Sequence, residues 1–261
     1  MRRVVFNQKG GVGKTSITCN LAAISASLGY RTLVVDLDVQ GNTTHYLVGE
    51  IDAEAFPAEA QGVAGLFKQT VGSRKMRQNP DSFVWDTPYE NLYLMPSSPA
   101  LSDMEKELES RYKIYKLRDA LDKLDAEYDR VYIDTPPNFN FYSKSALIAV
   151  DRVLIPFDCD SFARQSLYAL MDNVSELQED HNPDLEVEGI IINQFSSQAK
   201  LPGELVAELE EEGFPVFETF LNTSVKMKES HRYHRPLIDL APSHKLTRQY
   251  LNLHLELEPA Q

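Results

Sequence analysis

The sequence predicts an α/β fold: a single-domain doubly wound, mostly parallel sheet with helices on both faces. Three observations carry the prediction. Apolar runs rich in Val, Ile and Leu recur along the chain: RVVF, TLVVDLD, NLYLMPS, RVYIDTPP, RVLIPFD and VEGIIIN. Continuous apolar strands mark a sheet buried on both faces. Segments of helical length lie between them, and strand–helix alternation is what a parallel sheet with crossovers requires. A glycine-rich turn, NQKGGVGKTS at residues 7–16, sits directly behind the first run.

The elements follow in order. RVVF, residues 3–6, is the first strand, and a helix runs from about Lys14 to Leu28 with Gly29 as its stop signal. TLVVDLD, residues 32–38, is the next strand. Residues 50–90 are less regular, with several Gly and Pro, and are expected to form a surface excursion of short helices. NLYLMPS is a strand, and one long helical stretch from about Leu101 to Tyr128 leads into RVYIDTPP. RVLIPFD, a helix from about Phe162 to Gln178, and VEGIIIN complete the reading. With no internal repeat, low-complexity tract or long linker, residues 1–261 read as one domain.

Composition narrows the class. The chain is 43% hydrophobic and 25% charged, ordinary for a soluble protein. No apolar run approaches the roughly 20 residues of a membrane span. The start is basic but lacks a signal-peptide apolar region, so a cytoplasmic location is expected. Two cysteines, Cys19 and Cys159, make neither a disulfide framework nor a four-ligand metal site, and Cys19 reads as a small buried residue. The net charge of −13 argues against broad non-specific attraction to nucleic acid, though a local basic patch is compatible with it.

The chemistry begins at the glycine-rich turn. A loop between a buried strand and a helix offers free backbone N–H groups and the positive end of the helix dipole. Gly10, Gly11 and Gly13 let the backbone curl around phosphate oxygens, with Val12 and Ser16 inside the same loop. Lys14 supplies a charge to the β- and γ-phosphates, and Thr15 a hydroxyl to Mg²⁺. The usual motif is Gly, four residues, Gly-Lys-Ser/Thr; here Gln8 stands at the first Gly, with an additional Lys9 beside it. Asp134, at the end of VYID and stopped by Pro136 and Pro137, is placed to hold the metal. Asp36 and Asp38 end another strand. A carboxylate there fits either a metal-bound water or the water that attacks the γ-phosphate; two solvated aspartates opening the turn at Gly41 are the plain alternative.

KGGVGKT, DLDVQGN and IDTPP in this order resemble the deviant Walker A ATPases of the ParA/MinD superfamily. The resemblance covers nearly the whole chain, including PSSPALSDMEKEL, LIPFDCDSFA and NTSVKMKESHRYHRPLI. It implies ATP and Mg²⁺ as cofactors and a homodimer with ATP sandwiched between subunits. Lys9 matches the lysine that reaches the partner subunit's ATP. By the same resemblance Asp38 positions the hydrolytic water, Asp36 supports the magnesium shell and Asn193 faces the adenine edge. The sequence departs from the family at Val39, where Pro is common, and at PPNFNFYSK, which replaces a small Ser-Leu-Gly after the prolines.

The acidic tail QYLNLHLELEPAQ lacks the basic face of a membrane-targeting helix, so no membrane partner is expected. Neither cysteine matches the cluster ligands of the nitrogenase iron proteins, and with the loop beginning at residue 9 no N-terminal DNA-reading domain is expected. The small Soj-like branch remains. It implies slow ATP hydrolysis stimulated by a ParB-like or cargo adaptor protein, and non-specific DNA binding in the ATP state on the nucleoid. The cargo is a plasmid, a chromosome origin or a protein complex. The matching basic residues are Lys226, Lys228, Arg232 and Arg235, with Lys200 and Lys245 as further candidates. The competing expectation is a protein-interaction switch built on the same ATP dimer without DNA; a metabolic enzyme ranks third.

Overall fold

The computed structural model describes residues 1–49, 62–71, 78–159, 163–195 and 200–258. Seven strands form one sheet: β1 Arg2–Val5, β2 Thr32–Asp36, β3 Trp85–Asp86, β4 Leu92–Met95, β5 Arg130–Asp134, β6 Arg152–Asp158 and β7 Glu186–Asn193. The order is β3-β4-β2-β5-β1-β6-β7, and every pairing is parallel except β3 with β4. This is the expected doubly wound architecture.

The strand sequences explain the layers. Successive side chains point to opposite faces, so a run of consecutive apolar residues feeds two cores at once. Val4, Val35, Ile133 and Ile155 enter one core, under α4 Ala100–Ser110, α5 Lys116–Leu124, α6 Phe141–Ala149 and α7 Ala163–His181. Val5, Val34, Tyr132, Leu154 and Ile191 enter the other, under α1 Lys14–Ser27 and α11 Lys245–Leu257. α11 buries Leu246, Tyr250, Leu253 and Leu257 there; at roughly 2 kcal/mol per large apolar side chain, this face alone anchors the helix. The remaining helices are α2 Asn42–Val48, α3 Gly62–Val71, α8 Lys200–Glu211, α9 Val225–Arg232 and α10 Leu237–Leu240. No helix among the described residues is long and apolar enough to cross a membrane.

Three expectations change in detail. The stretch expected as one helix from Leu101 to Tyr128 is two, α4 and α5. α4 ends with Tyr112 in the left-handed region at φ 54°, while Lys113 N–H donates to Leu108 O at 3.0 Å. That pattern is a Schellman closure made without glycine, which is why the sequence carries no visible stop. The helix expected to end near Gln178 continues to His181, and Phe162 lies outside the described residues. Of the excursion over residues 50–90, α3, a 3₁₀ turn Pro80–Phe83 and the short β3 are described; residues 50–61 and 72–77 lie outside the described residues.

The departure PPNFNFYSK opens α6. Asn140 caps the helix by accepting from Ser143 N–H, and Ser143 Oγ accepts from Asn140 N–H at 2.9 Å. Phe139 lies 6.1 Å from the ring of Phe6, so the bulkier segment fills space beside β1.

Candidate functional site

The strands end together on one edge of the sheet, and the polar residues gather there, as ligand sites do in open α/β folds. The glycine-rich loop follows β1. Its entry is pinned by Asn7, whose Nδ2 donates to Pro156 O at 2.7 Å and whose Oδ1 accepts from Lys9 N–H at 2.9 Å. Gly13 caps α1 at φ 94° with no side-chain cap, so the helix's first N–H groups face the loop. A Cβ there would lie 2.2 Å from Asn193 Nδ2, so a side chain at position 13 is excluded twice, by backbone and by space. Asn193 Nδ2 donates to Val12 O and Gln194 Nε2 to Gly11 O, both at 2.7 Å. β7 thus braces the loop by taking its carbonyls. A Cβ at Gly10 would meet Pro137 Cβ at 3.9 Å, an ordinary contact.

Lys14 is buried beneath the loop, and its Nζ donates to Lys9 O at 3.0 Å. Burial pushes its ammonium below the ordinary lysine range, against the pull of Asp134 and Asp38. Lys9 sits at the rim, its Nζ 3.3 Å from Asp158 Oδ2 at the end of β6. With about a third of its side chain exposed (36%), Lys9 is the lysine that faces outward.

The carboxylates stand side by side. Asp36 and Asp134 are register partners on β2 and β5, and both are fully buried. Asp134 Oδ2 accepts from Thr15 Oγ1 and Thr43 Oγ1, each at 2.7 Å, and Oδ1 from Thr135 N–H at 3.1 Å. Asp36 Oδ2 accepts from Thr44 N–H at 2.8 Å and Thr44 Oγ1 at 2.7 Å, and Oδ1 from Asp38 N–H at 3.1 Å. Burial, then the neighbouring acid, raises the Asp36 carboxyl above its ordinary range. Burial also raises Asp134, despite the threonine hydroxyls. Two such acids favour a cation between or beside them.

The oxygen donors fit magnesium. Thr15 Oγ1 and Asp134 make a partial oxygen shell, and Mg²⁺ keeps waters and substrate phosphates for the rest. No group of three or more His, Cys, Asp or Glu side chains able to cage a metal occurs among the described residues. A magnesium site completed by phosphate needs none. Gln8 Nε2 is buried and has no hydrogen-bond partner among the described residues, an orphan donor at the base of the loop. Asp38 is 9% exposed and lies at the site's surface; its Oδ1 accepts from Gln40 N–H at 3.0 Å and its backbone O from Ser97 Oγ at 2.5 Å.

A cavity of about 190 Å³ flanks the loop, lined by Gly11, Gly13, Asn193, Asn222, Met227 and Tyr250 among others. A larger one, about 410 Å³, opens at the far end of α1 among Gly29, Tyr89 and Pro236 and shares no residue with the loop. Only the smaller touches the loop.

The chain matches the family described as an AAA domain over residues 3–187. It is 33% identical to the chromosome partitioning protein ParA of Myxococcus xanthus over 97% of this chain and 86% of that protein. It belongs to the ParA/Soj family of deviant Walker A ATPases. The ParA/Soj match extends to the sporulation initiation inhibitor protein Soj of Bacillus subtilis, 30% identical over 97% of this chain and 96% of that protein. Among solved structures, a cobyrinic acid a,c-diamide synthase from Mycobacterium smegmatis with bound ATP analog and magnesium superposes with a TM-score of 0.81. It is 25% identical over 97% of this chain and 92% of that one.

Within this ParA/Soj chain the basic residues fare differently from one another. Lys226 pairs with Glu229 on its own helix, and Arg235 pairs with Asp239 at 2.6 Å. Lys228 and Arg232 are exposed on α9, Lys245 on α11, and none of the three has an ion pair among the described residues. Lys200 begins α8, and its side chain lies outside the described residues. Sequence reasoning missed Thr43 and Thr44, which hold Asp134 and Asp36, and Asn7, Asp158 and Gln194, which hold the loop. The adjacent hydroxyls behind the turn at Gly41 were a local signal; Asp158 and Gln194, and the Asn7 bond to Pro156, act across more than a hundred residues.

Proposed function

We propose that this protein is a dimerising ATPase that binds ATP and Mg²⁺ at the loop, binds DNA without sequence preference in the ATP state, and positions a cargo. A ParB-like or adaptor partner stimulates hydrolysis. The single observation behind this reading is the pairing of a buried Lys14 and a Thr15–Asp134 contact with a second lysine, Lys9, turned outward at the rim. Magnesium held at Thr15 and Asp134 would neutralise phosphate charge. Lys14 binds the phosphates from below, Asp38 orients a water and Asn193 borders the base. Lys9 is placed to leave Asp158 and meet the phosphates bound by a second copy of the chain.

The exposed Lys228, Arg232 and Lys245 supply phosphate contacts, and a dimer doubles them. The name of the Myxococcus relative, a chromosome partitioning protein, supports a partitioning role. The protein so read is cytoplasmic and nucleoid-associated when bound to ATP. A second reading, a protein-interaction switch without DNA, draws on the net charge of −13 and on the ion pairs that occupy Lys226 and Arg235.

Binding to random-sequence duplex DNA, with ADP and with a slowly hydrolysed ATP analogue across a salt series, separates them. The first reading expects binding with the analogue alone, weakening steeply with salt. A dimer that ignores DNA at low salt establishes the second. Lys9→Ala should leave a monomer with the analogue, and Asp38→Ala should accumulate the ATP dimer. An ATP-dependent dimer of the Lys9 variant would remove the role given to Lys9.

A further inference from the structure

α9 faces two ways. Outward, Lys228 and Arg232 are spaced i, i+4 on one exposed strip. Inward, the same helix reaches the start of α1. His231 Nε2 lies 2.7 Å from Ser16 Oγ, within hydrogen-bond distance, and Ser16 is the residue after Thr15 of the phosphate loop. The His231 ring stacks on Tyr46 of α2, centroids 4.6 Å apart at 25°. Tyr46 OH in turn meets the buried Ser230 and accepts from Asn20 Nδ2 of α1 at 3.1 Å.

The other end of α9 is tied to the same loop by a separate chain of bonds. Ser224 caps α9, and Thr223 Oγ1 beside it donates to Gln194 O at 3.1 Å. Gln194 Nε2 donates to Gly11 O at 2.7 Å. Gln194 holds a left-handed backbone, φ 55°, without being glycine. A strained residue that bridges two segments is kept by the structure around it. α9 is therefore tied near one end to the start of α1 at Ser16 and at the other, through Gln194, to Gly11 of the phosphate loop, while its outer face carries Lys228 and Arg232.

We infer that His231, with Thr223–Gln194 at the opposite end, is a positioning residue that transmits the state of the phosphate loop to the basic strip of α9. This rests on the proposed function insofar as the strip meets DNA. Nucleotide and DNA then share one coupling factor: the analogue tightens DNA binding by the same factor as DNA tightens analogue binding. A hydrogen bond that merely supports the fold would not alter that factor.

His231→Phe keeps the stack on Tyr46 and removes the bond to Ser16. The wild-type and variant proteins are compared by DNA affinity with the analogue and with ADP, and by analogue affinity with and without DNA. Both ratios should fall by roughly tenfold in the variant, the scale of one hydrogen bond made in only one state. Thr223→Val, which cuts the second tether, should lower the same ratios and stands in if the first variant does not fold. Unchanged ratios in both variants overturn the inference. If the wild type itself shows no DNA binding, the DNA reading falls, and amide exchange over residues 225–232 decides the tether separately. Protection gained with the analogue in the wild type and lost in the variants upholds it; equal exchange in all overturns it.

Discussion

At the N-terminal edge of the sheet, Arg3 is buried among full partners: Glu188 at 2.7 Å, Glu258 at 2.8 Å and the carbonyl of Leu257 at 2.9 Å. Arg130 pairs with the same Glu258 at 2.7 Å. At the opposite edge, Asp36 and Asp134 are buried as neighbouring acids, with threonine hydroxyls and backbone N–H groups as their partners and no ion pair to either among the described residues. One edge compensates its charge and the other leaves it in excess. Burial alone would raise Glu258, yet the hydrogen bonds of Arg130 and Arg3 hold it down to about 2; burial raises both aspartates. Compensated burial stores stability, and uncompensated burial stores affinity for a cationic ligand.

The sharpest way to break this contrast is to neutralise one acid at each edge. Asp134→Asn should cut ATP hydrolysis by about 100-fold or more if, as proposed, Asp134 holds the magnesium. In the nucleotide-free protein the same change should raise the melting temperature, by an amount on the order of 1 kcal/mol in stability, since one of two crowded buried charges is gone. Steady-state hydrolysis and thermal melts read the two effects. A variant that loses both activity and stability would mean that Asp134 is structural.

Glu258→Gln should do the reverse. Its charged hydrogen bonds to Arg3 and Arg130 are worth about 2 kcal/mol together, a fall of roughly 4–8 °C in melting temperature, with hydrolysis within about twofold of wild type. Smallest is the dependence on pH. The Glu258 contribution is present above the ordinary carboxylate range and is lost as pH falls from about 4.5 to about 2. The aspartates, raised in the fold, are least costly when acid and become costly as pH climbs through their folded range. Melts of the two variants against wild type should therefore diverge in opposite directions: the gap at Glu258 closes in acid, and the gap at Asp134 opens towards neutral pH.

The strands and the loop were legible because their causes are local. Apolar runs name a buried strand, and Gly10, Gly11, Gly13, Lys14 and Thr15 name the loop that follows. Asp134 was legible from its place behind VYI. What escaped is what acts at a distance. Nothing near Gln194 announces that its amide holds Gly11, 183 residues away. Nothing near Glu258 announces Arg3, 255 residues away. The break at Tyr112 escaped for a local reason: it closes a helix in a conformation that glycine usually signals, with tyrosine instead. The basic stretch was legible as composition, but Glu229 and Asp239 each neutralise one of its cations at helical spacing, which a count of charges conceals.

The two outermost strands have a consequence for crowding. β3 is only Trp85–Asp86 and runs against its neighbour, so little ladder and one negative charge face outward. On the other side, Ile190 N–H donates to Pro215 O at 2.7 Å and Phe217 N–H donates to Ile190 O at 3.1 Å, so the segment beyond α8 lies along β7. Among the described residues, neither margin offers a long open ladder to another chain. Copies of the chain at high concentration are therefore guarded at both margins against edge-to-edge strand pairing of the amyloid kind.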